Sequence, residues 1–204
     1  MKNLHQFFCI VAMLFFFGAQ AQLSGDYTIG GTSPDYLSIT EALDSLTTNG
    51  VSGAVVFNIR DGVYDEQVVI NDAIAGASPI NTITFQSEAN DSTEVTILYS
   101  GGNEVLSLSN TNHLIFKNIS FYAPTYFGTY LTSCNNLRFE KVSFSGDVNN
   151  TYYLFYVSYC TDLVLHQSTI RGASNYGIND SGDHHTGWEI TECAFSNNNY
   201  LGDC

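Results

Sequence analysis

Asn112-His113-Leu114-Ile115-Phe116-Lys117-Asn118-Ile119-Ser120-Phe121 returns as Asn135-Asn136-Leu137-Arg138-Phe139-Glu140-Lys141-Val142-Ser143-Phe144. The pattern comes back as Thr161-Asp162-Leu163-Val164-Leu165-His166-Gln167-Ser168-Thr169-Ile170, and once more as Thr186-Gly187-Trp188-Glu189-Ile190-Thr191-Glu192-Cys193-Ala194-Phe195. The first apolar anchor steps Leu114, Leu137, Leu163, Trp188, at spacings of 23, 26 and 25. The last anchor, Phe121, Phe144, Ile170, Phe195, keeps the same spacings. Repetition at this period marks a solenoid or an array. Each unit holds a short strand with period-two alternation, a turn and a second short apolar run, with no room for a helix. The expected fold is an all-β solenoid, a right-handed single-stranded parallel β-helix in which each repeat is one coil stacked on the last.

Upstream of the repeats the chain reads as the start of the same solenoid. Ser38-Ile39-Thr40-Glu41 is a capping box, with Ser38 as N-cap and Glu41 returning the bond. Ile39, Ala42, Leu43 and Leu46 fall on one helical face, and Asn49-Gly50 ends the helix. One amphipathic helix here is the cap that the first coil needs, so residues 22–50 form a leading strand and a capping helix. Residues 51–204 form the coils. Ala54–Ile59, Val63-Tyr64 and Gln67–Ile70 make the first, and Ile80–Phe85 with Val95–Tyr99 the second. After Phe195 only nine residues remain, so the last coil is expected to be incomplete and to continue into further coils or domains.

Residues 1–21 read as a secretory signal peptide: Lys2 and His5, an apolar run over Phe7–Phe17, then Ala19-Gln20-Ala21. No later stretch reaches the roughly 20 apolar residues of a membrane helix. The expected location is secreted or at the cell surface. Beyond residue 21 the chain has five basic and 20 acidic residues, 5 − 20 = −15. That charge excludes a nucleic-acid partner and favours solubility and cations.

Several groups are candidates for chemistry. Within each repeat strand Leu114 and Phe116 point inward, so Ile115 and Lys117 point outward. The outer columns are therefore Lys117, Glu140, His166, Thr191 and Ile115, Arg138, Val164, Glu189. Lys117, Glu140 and His166 can serve as an acid–base set; the plainer reading is a ladder of opposite charges supporting strand pairing. Asn179-Asp180-Ser181-Gly182-Asp183-His184-His185 is a polar turn. It offers Asp180 and Asp183 to calcium, or His184 and His185 to a transition metal, though the spacing matches no calcium loop. No other cofactor is indicated.

Tyr126 and Tyr130 recur 26 residues later as Tyr152 and Tyr156, so stacked coils place Tyr126 on Tyr152 and Tyr130 on Tyr156. Such tyrosines suit sugar rings; the plainer reading is a purely stabilising ladder. Cys134 and Cys160 each sit three residues before an anchor leucine. Strands about 4.8 Å apart bring them within disulfide range, and a pair of buried free thiols fits equally.

Ser24-Gly25-Asp26-Tyr27-Thr28-Ile29-Gly30-Gly31, Pro34-Asp35-Tyr36, Gly50–Ile59, Gly62–Val68, Asn81–Gln86 and His113–Asn118 carry a resemblance. Together they resemble the N-terminal portion of secreted right-handed β-helix proteins of Bacteroidetes-type bacteria, broadly similar to the pectate-lyase-like superfamily. Many members resemble modular surface proteins with a C-terminal sorting domain for type IX secretion; this sequence has none. The resemblance implies fold and export more than activity. The function expected is a non-catalytic scaffold, adhesin or glycan-binding module with a polysaccharide or glycan as partner. The alternative is a polysaccharide lyase or glycoside hydrolase acting on acidic polysaccharide.

Overall fold

The computed structural model describes residues 21–102, 104–182 and 185–203, with side chains described to Tyr200. The signal-peptide reading of residues 1–21 falls almost wholly outside them. The chain opens with β1 (Leu23–Ile29) and α1 (Ile39–Asn49). Six coils follow, each of three strands. They are β2 (Val51–Ile59), β3 (Gly62–Asp65), β4 (Val68–Ile70); β5 (Ile83–Ser87), β6 (Val95–Leu98), β7 (Leu106–Ser109); and β8 (Leu114–Lys117), β9 (Ser120–Ala123), β10 (Phe127–Thr132). Then come β11 (Asn135–Glu140), β12 (Ser143–Gly146), β13 (Tyr153–Ser158); β14 (Thr161–His166), β15 (Thr169–Arg171), β16 (Tyr176–Asp180); and β17 (Glu189–Thr191), β18 (Ala194–Ser196), β19 (Tyr200–Asp203).

Like positions stack into three parallel sheets. Sheet 1 runs β1-β2-β5-β8-β11-β14-β17, sheet 2 runs β3 to β18 and sheet 3 runs β4 to β19. This is the expected parallel β-helix, and its right-handed sense is the one strand twist imposes on parallel crossovers.

The repeat predicts two strands per coil, and the structure has a third, in sheet 3. That strand is in place even in the last coil, where Tyr176 pairs with Tyr200. In this coil residues 197–199 turn from β18 into β19.

The register follows the anchors. Leu137 faces Leu163, Arg138 faces Ile115 and Val164, and Phe144 faces Phe121 and Ile170. The interior is a column of buried side chains. Phe57, Phe85, Phe116 and Phe139 stack at centroid separations of 4.7, 5.6 and 5.3 Å. Offset stacks of this kind contribute beyond their buried area, about 0.5–1.5 kcal/mol per pair.

Corners are made by single residues in the left-handed region. Asn118, Lys141, Gln167 and Glu192 take φ of 52°, 54°, 50° and 54° between sheets 1 and 2. Ser133 and Tyr159, both at 54°, do so between sheets 3 and 1. One such residue redirects a strand without a longer loop, which keeps the coils in register.

Helix α1 closes the N-terminal end, burying Ile39, Ala42, Leu43 and Leu46. The N-cap is as expected, Glu41 N–H donating to Ser38 Oγ at 3.1 Å. The return bond differs, because Glu41 accepts from Leu37 N–H at 2.7 Å. Glu66, from the first coil, takes the orphan donors instead: Ile39 N–H at 3.2 Å and Thr40 N–H at 2.8 Å. The helix is thereby tied to the solenoid by the group that caps it.

Candidate functional site

Outer faces are where a solenoid with a filled core can act. On sheet 1, Lys117 Nζ lies 3.6 Å and Arg138 Nε 3.3 Å from the Glu140 carboxylate. Burial disfavours the charged form, but the Arg138 hydrogen bond and the Lys117 charge outweigh it and hold the Glu140 carboxyl below its ordinary range. His166, in register with Glu140, engages Thr191 Oγ1 through Nδ1 at 2.9 Å. Lys117, Glu140 and His166 are thus adjacent, as their columns predict. Glu140, held ionised by two cations, has the character of a ladder member rather than of a free base.

Beside it the same sheet carries an open groove of about 450 Å³, lined by His113, Asn136, Arg138, Asp162, Val164 and Glu189 among others. His113, Asn136, Asp162 and Gly187 occupy one corner on successive coils, at spacings of 23, 26 and 25. This corner column was legible from the repeat spacing, but its residues carry no motif that singles them out.

Sheet 3 is different in character. Tyr126 stacks on Tyr152 at 5.3 Å and 4°, and Tyr130 on Tyr156 at 4.9 Å and 2°. Between these pairs runs a longer ladder, Phe127, Tyr153, Tyr176, Tyr200, at 5.6, 5.8 and 5.0 Å. Tyr126 remains 51% and Tyr152 36% exposed, so a band of rings lies at the surface across four coils. Tyr176 and Tyr200 are the members that the anchor spacings miss. The steps Tyr153 to Tyr176 and Tyr176 to Tyr200 are 23 and 24 residues, whereas the sheet 1 anchors of the same coils, Leu137, Leu163 and Trp188, step by 26 and 25.

The stacks also fix which surface each ring offers. Planes within a few degrees of parallel between coils turn faces toward neighbouring rings and edges and hydroxyls toward solvent. The band ends abruptly on the N-terminal side. Tyr130 stands opposite Ser107 of the preceding coil, where no ring continues the column. A cavity of about 480 Å³ opens at that step, lined by Asn71, Glu104, Ser107, Ser109, Tyr126, Phe127, Tyr130 and Thr132.

Of the polar turn, Asp183 and His184 lie outside the described residues. Asp180 belongs to β16, and its Oδ1 sits 2.5 Å from His185 Nε2. Burial pushes the Asp180 carboxyl up, against the opposing pull of His185. Trp188 packs edge-on against His185 and donates Nε1–H to Cys160 O at 3.0 Å. Among the described residues no three His, Cys, Asp or Glu side chains converge as a metal site.

Cys134 and Cys160 occupy one corner of successive coils, both buried and both free thiols, and the Cys134 N–H donates to Cys160 Sγ at 3.4 Å. Their mutual hydrogen bond raises the Cys134 thiol, with burial adding to the effect, and lowers that of Cys160 against the opposing effect of burial.

Comparison with solved structures gives the architecture a precedent. The chain superposes on the pectin methylesterase of Aspergillus niger in its penultimately deglycosylated form, with a TM-score of 0.50 and 16% identity, over 89% of this chain and 70% of that one. The deglycosylated form of the enzyme matches at the same score and identity, over 86% and 68%. The likeness is one of fold. No family model matches the sequence, and no curated protein matches it closely enough to count as a relative. Among the described residues no helix is long and apolar enough to cross a membrane.

Proposed function

We propose that this chain is an extracellular β-helix module that recognises a polysaccharide through the aromatic outer face of sheet 3, as an adhesin or glycan-binding scaffold. The observation that carries this reading is the surface ladder of rings flanked by serine, threonine and asparagine. A purely structural ladder has no need to leave Tyr126 half exposed at the rim of a cavity. Aromatic surface of this kind offers large apolar area with little entropy to lose, and the hydroxyl tips supply hydrogen bonds. The signal-peptide reading of residues 1–21 supports export.

A second reading has specific support. The solved structures of like fold belong to a pectin methylesterase, and the sheet 1 groove holds Arg138, Asp162 and Glu189. On this reading the chain is an enzyme of acidic polysaccharide, a lyase or a hydrolase, with the groove as its site. The net charge of −14 weighs against it, since an anionic substrate is repelled unless a cation such as calcium bridges it.

A glycan-array screen of the secreted chain, with and without calcium, tests the first reading. Each hit is then incubated with the protein and followed by ultraviolet absorbance for unsaturated products, by reducing-end assay, and by methanol release from methyl-esterified pectin. Binding without product is expected. Product formation that is lost in Glu189→Gln would replace the module with the enzyme.

A further inference from the structure

The end of the ladder carries more than its flank. Each ring inside the tyrosine columns has a neighbour on one or both faces, so a flat ligand approaching from outside meets edges and hydroxyls. Only where a column stops is a face available. The Tyr130 column stops at the third coil, because the preceding coil places Ser107 opposite Tyr130. Phe127, which packs edge-on against Tyr126 at 4.5 Å, shares the same step. The register thus leaves a ring-shaped vacancy of one coil's height, about 4.8 Å, open to solvent as the cavity of about 480 Å³.

The rim and floor of that vacancy are polar. Ser107 and Ser109 form its floor from β7, Asn71 lies beyond the end of β4, and Glu104 stands on one side. Donors and acceptors therefore surround a flat apolar wall. That combination fits a pyranose, whose C–H face is apolar and whose hydroxyls radiate around the ring. It fits a free aromatic ligand less well, because the serines, Asn71 and Glu104 would be left to face an apolar edge without partners. Among the described residues the only charged lining group is Glu104, and no Lys or Arg lines the cavity. An anionic sugar would find a carboxylate and no counter-charge.

We infer that the cavity at the N-terminal end of the sheet 3 aromatic ladder is a binding site for a neutral hexopyranose, which takes the place of the next ring in the stack on the open face of Tyr130, with Tyr126 lining the same cavity. The inference rests on the reading of sheet 3 as a glycan-recognition face and adds the position, the stacking geometry and the charge class of the ligand. It also sets a direction. The polysaccharide meets the ladder at its end, with one residue inserted, instead of lying along the row of tyrosine hydroxyls.

Ser107→Tyr supplies the missing ring from the protein itself. Ser107 faces outward on β7 between Val69 and Tyr130, so a tyrosine there extends the column without entering the core. Binding of cellohexaose, mannohexaose, laminarihexaose and hexagalacturonate to the full chain is measured by titration calorimetry, with circular dichroism as the check on folding. The wild type is expected to bind at least one neutral oligosaccharide and not hexagalacturonate. Ser107→Tyr is expected to abolish that binding, and Tyr130→Ala to weaken it about tenfold. Undiminished binding by folded Ser107→Tyr and by Tyr130→Ala would overturn the end-on site while leaving recognition by sheet 3 standing. Preference for hexagalacturonate would overturn the charge assignment. A wild type that binds none of the four would remove the glycan-recognition reading and the end-on site with it.

Discussion

Lys141 and Gly172 share a left-handed backbone for different reasons. Lys141 turns the corner between β11 and β12 at φ 54° with its side chain in solvent, so the only cost of a side chain there is local. Replacing it with glycine should change stability little, with a gain of about 0.5 kcal/mol where relief of the left-handed strain exceeds the entropy of the added freedom. Gly172 takes φ 89°, and a Cβ there would stand 2.5 Å from Gly146 O on the coil below. Gly172→Ala should therefore destabilise by about 2 kcal/mol or more, read as a shift of the urea midpoint with an unchanged m-value. Phe139, fully buried and stacked on Phe116, should cost about 3–5 kcal/mol as alanine. The thiols make a kinetic prediction. Cys134 and Cys160 should resist iodoacetamide in the folded chain and alkylate without prior reductant once the chain is unfolded; protection that persists in denaturant and is released by reductant would reveal a bridge between them.

Helix α1 depends on a residue outside itself. Glu66 satisfies Ile39 N–H and Thr40 N–H, donors that the capping box leaves open. Glu66→Ala should cost about 1 kcal/mol, and hydrogen exchange in the first turn of α1 should rise ahead of exchange in sheet 1. Sheet 1 was legible in the sequence because its inner anchors repeat at one set of spacings and each strand alternates strictly. Its outer columns follow from the same pattern, and Lys117, Glu140 and His166 do meet. Sheet 3 was only half legible. Tyr126 with Tyr152 and Tyr130 with Tyr156 share the spacing of the anchors between β11 and β14, so those stacks could be read. Turns of unequal length before β16 and β19 displace Tyr176 and Tyr200 from that rhythm, so the ladder's extent could not. The helix was plain from its period, but its second capping partner was not, since Glu66 lies a whole coil away from the residues it caps.

At the scale of the molecule, acid should weaken the solenoid through its turns. Asp35, Asp65, Asp91 and Asp147 are each held below the ordinary aspartate range by hydrogen bonds from Thr28, Ser100, Thr93 and Asn149 with Asn150 respectively, and Glu140 by Arg138 and Lys117 against the opposing effect of burial. Groups whose pKa is depressed by folding contribute stability that is present above their unfolded values and is lost as pH falls through the folded ones. Melting temperature should accordingly drop below about pH 4. Asp180, whose pKa is raised, acts with the opposite sign: its contribution is present below its unfolded value and declines as pH rises through the folded one, which makes Asp180→Asn neutral or stabilising at pH ~7 and without benefit in acid. The solenoid also keeps its two eventful faces apart, with an ion-paired groove on sheet 1 and an aromatic band on sheet 3, so that each can be altered without touching the other. The decisive measurement is glycan binding by two double variants side by side, Tyr126→Ala/Tyr130→Ala on sheet 3 and Arg138→Ala/Glu189→Gln on sheet 1. Loss of binding in the first and its retention in the second is the predicted result. Retention in the first and loss in the second would move recognition to the sheet 1 groove and contradict the assignment.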